Sequence, residues 1–273
     1  MQLIHLSNSI KGALCAASAM LALGVSVPAY AGTIFLSGDT NIVNPLVGSS
    51  GQPVDPGNVQ FFTNILQNGT NVVVQSNDNS DPFVANAEFE FNSFYNSLAG
   101  VTSTIVSSPI TESVLSDADL FISFMPDESF AAAEIESLSD FLNDGGTIFF
   151  LGENFGFVDE NARINTALAG LGSNLRIIDD SFDGGFNTAT GSQIASNPFT
   201  VGVNTFTYAA PSEVSTVSGG TSLFFGTTGQ TFLAVENTTP VPEPSNVGST
   251  VIVAGVGGWL IKRKLKASQK VKA

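Results

Sequence analysis

The 273-residue sequence predicts an α/β fold, a doubly wound and mainly parallel sheet with helices on both faces and short extra strands near the C-terminal end. Three observations predict it. From Thr33 to Ile178, short apolar runs alternate with segments whose apolar residues recur every three or four positions, so strand follows helix repeatedly. Runs such as Thr147-Ile148-Phe149-Phe150-Leu151 are apolar at consecutive positions, which suits strands covered on both faces. Gly or Asn-Gly closes most of the helical patterns, where a left-handed residue ends a helix.

Thr33 to Ser37 is the first strand, meeting a loop at Gly38-Asp39. Asn41 to Pro56 is rich in Gly, Pro, Ser and Asn and reads as loop, after which Val59, Phe62, Ile65 and Leu66 share a helical face that Asn68-Gly69 stops. Val72 to Val74 is the second strand. Ala87, Phe91, Phe94, Tyr95 and Leu98 then recur at helical spacing up to Gly100, and Val101 to Val106 is the third strand. Ile110 to Leu115 is a short connection, helical or extended, before a fourth strand from Asp119 to Phe124. Ala131, Ile135, Leu138 and Leu142 line a helix that Ser129 is placed to cap and that Gly145-Gly146 ends. The fifth strand is Thr147 to Leu151; Ile164, Leu168 and Leu171 mark another helix, and Leu175 to Ile178 a sixth strand. Beyond Asp179, period-two stretches at Phe199/Val201/Val203, Phe206/Tyr208, Leu223/Phe225 and Phe232 to Val235 read as short, partly antiparallel strands finishing or flanking the sheet.

The two ends have a different character. Residues 1–31 carry one early Lys11, an apolar core from Ala13 to Val27 and the small-x-small site Ala29-Tyr30-Ala31, the layout of a secretory signal peptide cleaved after Ala31. Cys15 and His5 are the only cysteine and histidine, and both fall in that segment. A mature chain without them has no disulfide, thiol nucleophile, histidine base or His/Cys zinc site. Residues 32–236 form the α/β domain and 237–246 a proline-rich linker. Residues 247–261 are an apolar transmembrane segment of about 15 residues, short against the about 20 of a standard span, and 262–273 are a basic cytoplasmic tail.

Between Asp39 and Glu243 lie all 24 carboxylates against two arginines, Arg163 and Arg176, a net charge of −22. A domain this acidic repels nucleic acid and anionic headgroups, so no nucleic-acid partner is expected. The lone arginines are each expected to pair with a carboxylate.

Ligands of doubly wound sheets sit beyond the carboxyl ends of the strands. The loops there present Asp39 after the first strand, Asp127 and Glu128 after the fourth, and Glu153 and Asn154 after the fifth. Converging, they would bind a metal ion or a hydroxyl-rich ligand such as a sugar; scattered, they serve the helix starts, whose dipoles favour acidic residues. No cofactor is expected, although Asn77-Asp78-Asn79-Ser80-Asp81 and Asp179 to Gly185 offer alternating oxygens of the kind Ca2+ takes. Neither loop completes a helix-loop-helix calcium pattern, and both also read as polar turns.

Two resemblances follow. The segment Asp119 to Gly156, ending in Gly152-Glu153-Asn154-Phe155-Gly156, resembles the core of the class I glutamine amidotransferase-like (flavodoxin-like) fold, over Gly32 to Ile178. That family's strand-to-helix elbow has the form Gly-x-Cys-x-Gly. Asn154 stands at the cysteine position, and the mature chain has no histidine partner, so the resemblance implies the fold without the amidotransferase chemistry. Pro242-Glu243-Pro244, the apolar segment and the basic stop Lys262, Arg263, Lys264 and Lys266 resemble the PEP-CTERM sorting tail. That resemblance implies an exosortase-type processing enzyme as partner, anchoring in an inner membrane, and passage to the cell surface or an extracellular polysaccharide matrix. Together these expectations describe an exported, non-catalytic binding or structural protein. The alternative is a hydrolase of surface polysaccharide or glycoconjugate using Asp39, Glu128 or Glu153 as paired acid and base.

Overall fold

The computed structural model describes residues 32–76, 82–107, 109–217 and 219–238, without the side chains of 82–85. The leader, the Asn77–Asp81 turn, the Pro-Glu-Pro element, the apolar segment and the basic tail lie outside them. Among the described residues no helix is long and apolar enough to cross a membrane.

The domain is mixed α/β around a seven-stranded, mostly parallel sheet. Five parallel strands form its body: β1 (Thr33–Ser37), β2 (Asn71–Ser76), β3 (Thr102–Ser107), β4 (Leu120–Phe124) and β5 (Thr147–Leu151). Two antiparallel strands, β10 (Thr221–Phe225) and β11 (Thr231–Asn237), extend it in the order β10-β11-β1-β5-β4-β2-β3. Thr33 to Ser37 pair with Thr147 to Leu151 in register, and every residue of β1, β4 and β5 is buried, as consecutive apolar side chains require.

Helices alternate with these strands: α1 (Asn44–Val47), α2 (Pro56–Asn64), α3 (Pro82–Ser97), α4 (Glu112–Leu115), α5 (Ala132–Asn143) and α6 (Val158–Gly170). On one face Phe35, Val74, Ile122 and Phe149 pack with Leu46 of α1, Phe61 and Phe62 of α2 and Phe91 and Tyr95 of α3. On the other, Leu36, Phe121, Ile148 and Phe150 pack with Leu115 of α4, Leu138 of α5 and Ile164 and Leu168 of α6. The phenylalanines concentrate on the first face, where the Phe61 ring meets Phe35, Phe62, Phe149, Phe206 and Phe224 at centroid distances of 5.1 to 6.4 Å.

Several elements differ from the sequence expectation. The segment expected to be loop after Asp39 holds a 3₁₀ turn, Asn41–Val43, and α1, because Ile42, Val43 and Leu46 are drawn into the core. The sixth strand, β6 (Arg176–Ser181), stands outside the main sheet and pairs antiparallel with β9 (Ser212–Ser215). A further pair is β7 (Phe186–Thr190) with β8 (Thr205–Ala209). Phe199, Val201 and Val203 are not a strand: Pro198–Thr200 is a 3₁₀ turn capped by Asn197, and its proline has no N–H for a ladder. Ser129 does not cap α5. The Glu134 carboxylate does that work, accepting the Ala131 N–H at 2.9 Å and the Ile110 N–H at 2.8 Å. At the C-terminal boundary β11 runs through Asn237, and the Thr238 N–H reaches the Gly32 carbonyl at 2.9 Å, so both residues belong to the fold rather than to the linker.

Strand edges are closed by a repeated device. Asn96 of α3 receives the Ser103 N–H at 2.9 Å and donates to the Ser103 carbonyl at 3.0 Å, on the outer side of edge strand β3. Asn165 of α6 does the same to Ile177 of β6 (2.8 and 2.9 Å), and Asn58 of α2 to Thr207 of β8 (2.7 and 2.9 Å). An amide side chain has one acceptor and one donor group spaced to match a single residue's backbone pair. It therefore replaces a neighbouring strand and removes a template for edge pairing.

Candidate functional site

β1 and β5 are adjacent, and the chain leaves β1 towards α1 on one face and leaves β5 towards α6 on the other. Their carboxyl ends thus flank the crevice in which open α/β sheets bind ligands. Asp39 and Glu153 both lie there, with side chains 0 % and 1 % exposed. Two of the three acidic loop ends therefore converge. From the third, Glu128 is exposed on the turn after β4 and Asp127 is half-buried beside it. Among the described residues no three acidic side chains gather closely enough to hold a metal ion.

Both buried carboxylates are engaged by the protein's own groups. Glu153 Oε2 accepts the Thr40 N–H at 3.2 Å, the Thr40 hydroxyl, and the Asn41 side-chain amide at 3.2 Å. Its Oε1 accepts the N–H of Asn154 at 3.0 Å and the Asn154 side-chain amide at 2.8 Å. Asp39 Oδ1 accepts the Asn41 N–H and Oδ2 the Ala209 N–H, both at 2.7 Å. Burial, then the Glu153 charge, hold the Asp39 carboxyl well above the usual carboxylate range, and burial also raises that of Glu153.

The crevice itself is filled. The turn from Ala209 to Ser212, joining β8 to β9, lies across the end of β1. Besides the Asp39–Ala209 bond, the Ser212 N–H reaches the Gly38 carbonyl at 2.8 Å, and the Ser212 hydroxyl donates to the Glu153 carbonyl at 2.8 Å. The approach is close enough that a Cβ on Gly38 would collide with the Ser212 carbonyl. Behind it, Asn161 of α6 takes the Glu153 N–H at 3.0 Å, returns its amide to the Glu153 carbonyl at 2.8 Å, and reaches Asp179 Oδ1 at 3.0 Å.

Asn154, at the position matching the amidotransferase-like cysteine, has φ −57° and ψ 176°, an ordinary backbone region. Its side chain accepts the Gly156 N–H at 2.9 Å as a cap for the 3₁₀ turn Phe155–Phe157. The glycine before it answers to packing: a Cβ on Gly152 would strike Ile177 and Asn161. Here the turn is shaped by close approach, not by backbone strain at its centre.

The described calcium candidate, Asp179 to Gly185, is likewise used internally. Asp183 accepts the Tyr208 hydroxyl at 2.7 Å, the Thr227 N–H at 2.6 Å and the Thr227 hydroxyl. Burial pushes the Asp183 carboxyl up, but these donors more than offset it and leave it below the usual value. Burial, then the same contact, raise the Tyr208 phenol. Arg163 pairs with Glu160 at 3.5 Å and with the Pro126 carbonyl at 3.0 Å. Arg176, expected to pair with a carboxylate, instead donates to the carbonyls of Ser173 and Leu175.

The site residues that sequence reasoning missed are Thr40, Asn41, Asn161 and Ser212. Asn161 carried a readable signal: it stands three and seven positions before Ile164 and Leu168, a polar residue on the buried stripe of a helix. Ser212 carried none, because only the tertiary fold returns it to the end of β1.

No family model matches the chain, and no curated protein does. Among solved structures it is similar to the mmIFT52 N-terminal domain, at 16% identity and a TM-score of 0.41, over 57% of this chain and 87% of that one. A likeness at that score carries no argument about function.

Proposed function

We propose that this chain is an exported cell-surface or extracellular-matrix protein whose α/β domain has a binding or structural role without catalysis, and whose C-terminal segment directs its sorting. One observation supports the non-catalytic reading most directly: the crevice between β1 and β5 is occupied by the Ala209–Ser212 turn, and both of its carboxylates are spent on the protein's own donors. A glycosidase needs two carboxyl groups facing substrate across an open gap. The doubly wound, flavodoxin-like description agrees with the two helix-covered faces and with the strand-order reversal between β2 and β4, whose connections to β3 and β5 run in opposite directions.

The sorting half of the proposal rests on the sequence: a leader with a small-residue cleavage site, Pro242-Glu243-Pro244, the apolar segment and the basic cluster from Lys262 to Lys266. The partners it calls for are an exosortase-type enzyme and the inner membrane, with extracellular polysaccharide as the surrounding medium. Incubating the full-length protein with a panel of surface polysaccharides should release no new reducing ends. Turnover that disappears with Glu153→Ala or Asp39→Ala, in variants whose circular dichroism is unchanged, would restore the hydrolase reading.

A further inference from the structure

We propose that Asp39 keeps its proton in the folded protein beside an ionised Glu153, and that removing this proton releases the Ala209–Ser212 turn from the end of β1, making the pair a proton-held latch on the crevice. Glu153 accepts from five donor groups, Thr40 N–H and hydroxyl, Asn41 amide, Asn154 N–H and amide, and such a shell favours the charged form. Asp39 has fewer donors, two backbone N–H groups and the Asn41 side chain, and is fully buried. A second buried charge next to the first has no counterion to stabilise it.

The titratable and charged groups around Asp39 all carry, or can acquire, negative charge. Glu153 comes from the end of β5, Tyr208 from β8, Asp183 from the loop before β7, and Asp55 from the start of α2, where Thr205 and Thr207 hold it. Asp179 on β6 joins through Asn161. The two arginines of the domain are engaged elsewhere, Arg163 with Glu160 and Pro126, Arg176 with Ser173 and Leu175. Neutralisation therefore falls to a proton.

The element that yields is the turn. β1 and β5 are central, fully buried strands, whereas β8 and β9 belong to separate two-stranded sheets. A neutral Asp39 still accepts the Ala209 N–H through its carbonyl oxygen. An ionised one holds the Ala209 N–H more strongly but repels Glu153 and is cut off from water. Release of the turn, the connection free to move, is what solvates it.

The test is a pH titration of the full-length chain, labelled with carbon-13 at the Asp carboxyls and assigned through the backbone. The expected result is an Asp39 carboxyl carbon still in its protonated position while exposed carboxyls ionise near pH 4, then titrating at higher pH. Through that same step the Ala209 amide should lose about tenfold protection beyond the ordinary base-catalysed rise in exchange. In Glu153→Gln, both transitions should move together to lower pH. An Asp39 carbon that ionises with the exposed carboxyls overturns the proposal, as does Ala209 protection that stays flat through the titration. The wild-type curves decide this even if Glu153→Gln does not fold.

Discussion

Asparagine side chains do in this domain what neighbouring strands do elsewhere. At Thr207, Ser103, Glu153 and Ile177 a helix-borne amide satisfies both backbone groups of one residue. Asp in such a position keeps the acceptor but loses the donor, and sets a carboxylate against a carbonyl. Asn165→Asp should therefore lower the unfolding free energy by about 1–3 kcal/mol, measured by urea denaturation; an unchanged midpoint would show that the Ile177 backbone finds water instead. Acidic residues, by contrast, act with opposite signs. Asp39, held above its unfolded value, contributes stability that is fully present at low pH and lost as pH rises through its folded pKa. Asp183, held below, contributes stability present above its unfolded value and lost as pH falls through its folded one. Little of this was legible residue by residue: Asn161 shows as a polar residue on a buried helical stripe, but Asn is common in loops, and the sequence does not say which Asn faces an edge.

At the scale of elements, the parallel body was readable and its closure was not. β1, β2, β4 and β5 and helices α3, α5 and α6 match the apolar runs and periodic segments closely, because burial on both faces imposes a consecutive apolar pattern and helix packing a 3.6-residue one, whereas edge strand β3 is mostly exposed and α2 stops at Asn64, short of Ile65 and Leu66. β6, β7 and β9 are short and partly polar, such as Phe186-Asn187-Thr188-Ala189-Thr190, and a strand of that kind is defined by its partner. β11 is the decisive late element. It lies between β10 and β1, carries the fully buried Phe232, Leu233 and Ala234, and pairs with β1 over five residues. A chain ended after Thr238 should fold, with the near-ultraviolet circular dichroism of the full chain, since no described contact of the sheet is removed. A chain ended at Gly229 strips β11 from the edge of β1 and should populate collapsed, dye-binding states, read by near-ultraviolet circular dichroism. Native spectra from the shorter chain would mean that β11 merely decorates the sheet.

For the whole molecule, charge and the proposed address are read from the sequence, while the state of the crevice is a property of the fold. The carboxylate excess of residues 39–243 and the absence of histidine beyond His5 follow from counting residues. The sorting reading is likewise sequence-borne and is tested there: replacing Pro242, Glu243 and Pro244 with alanine should leave an exported form that retains its C-terminal segment, seen as a larger intact mass in the membrane fraction. Equal masses for variant and wild type would remove the Pro-Glu-Pro element from the account. Three acidic loops were placed at the strand ends by their position in the chain, and Asp39 and Glu153 do meet. What occupies the space between them is the Ala209–Ser212 turn, about 170 residues after Asp39 in the chain. A sequence determines which residues a strand end presents, since neighbours along the chain carry them there. Which distant segment fills the gap depends on packing over the whole domain, and here that packing decided between an open acidic crevice and a closed one.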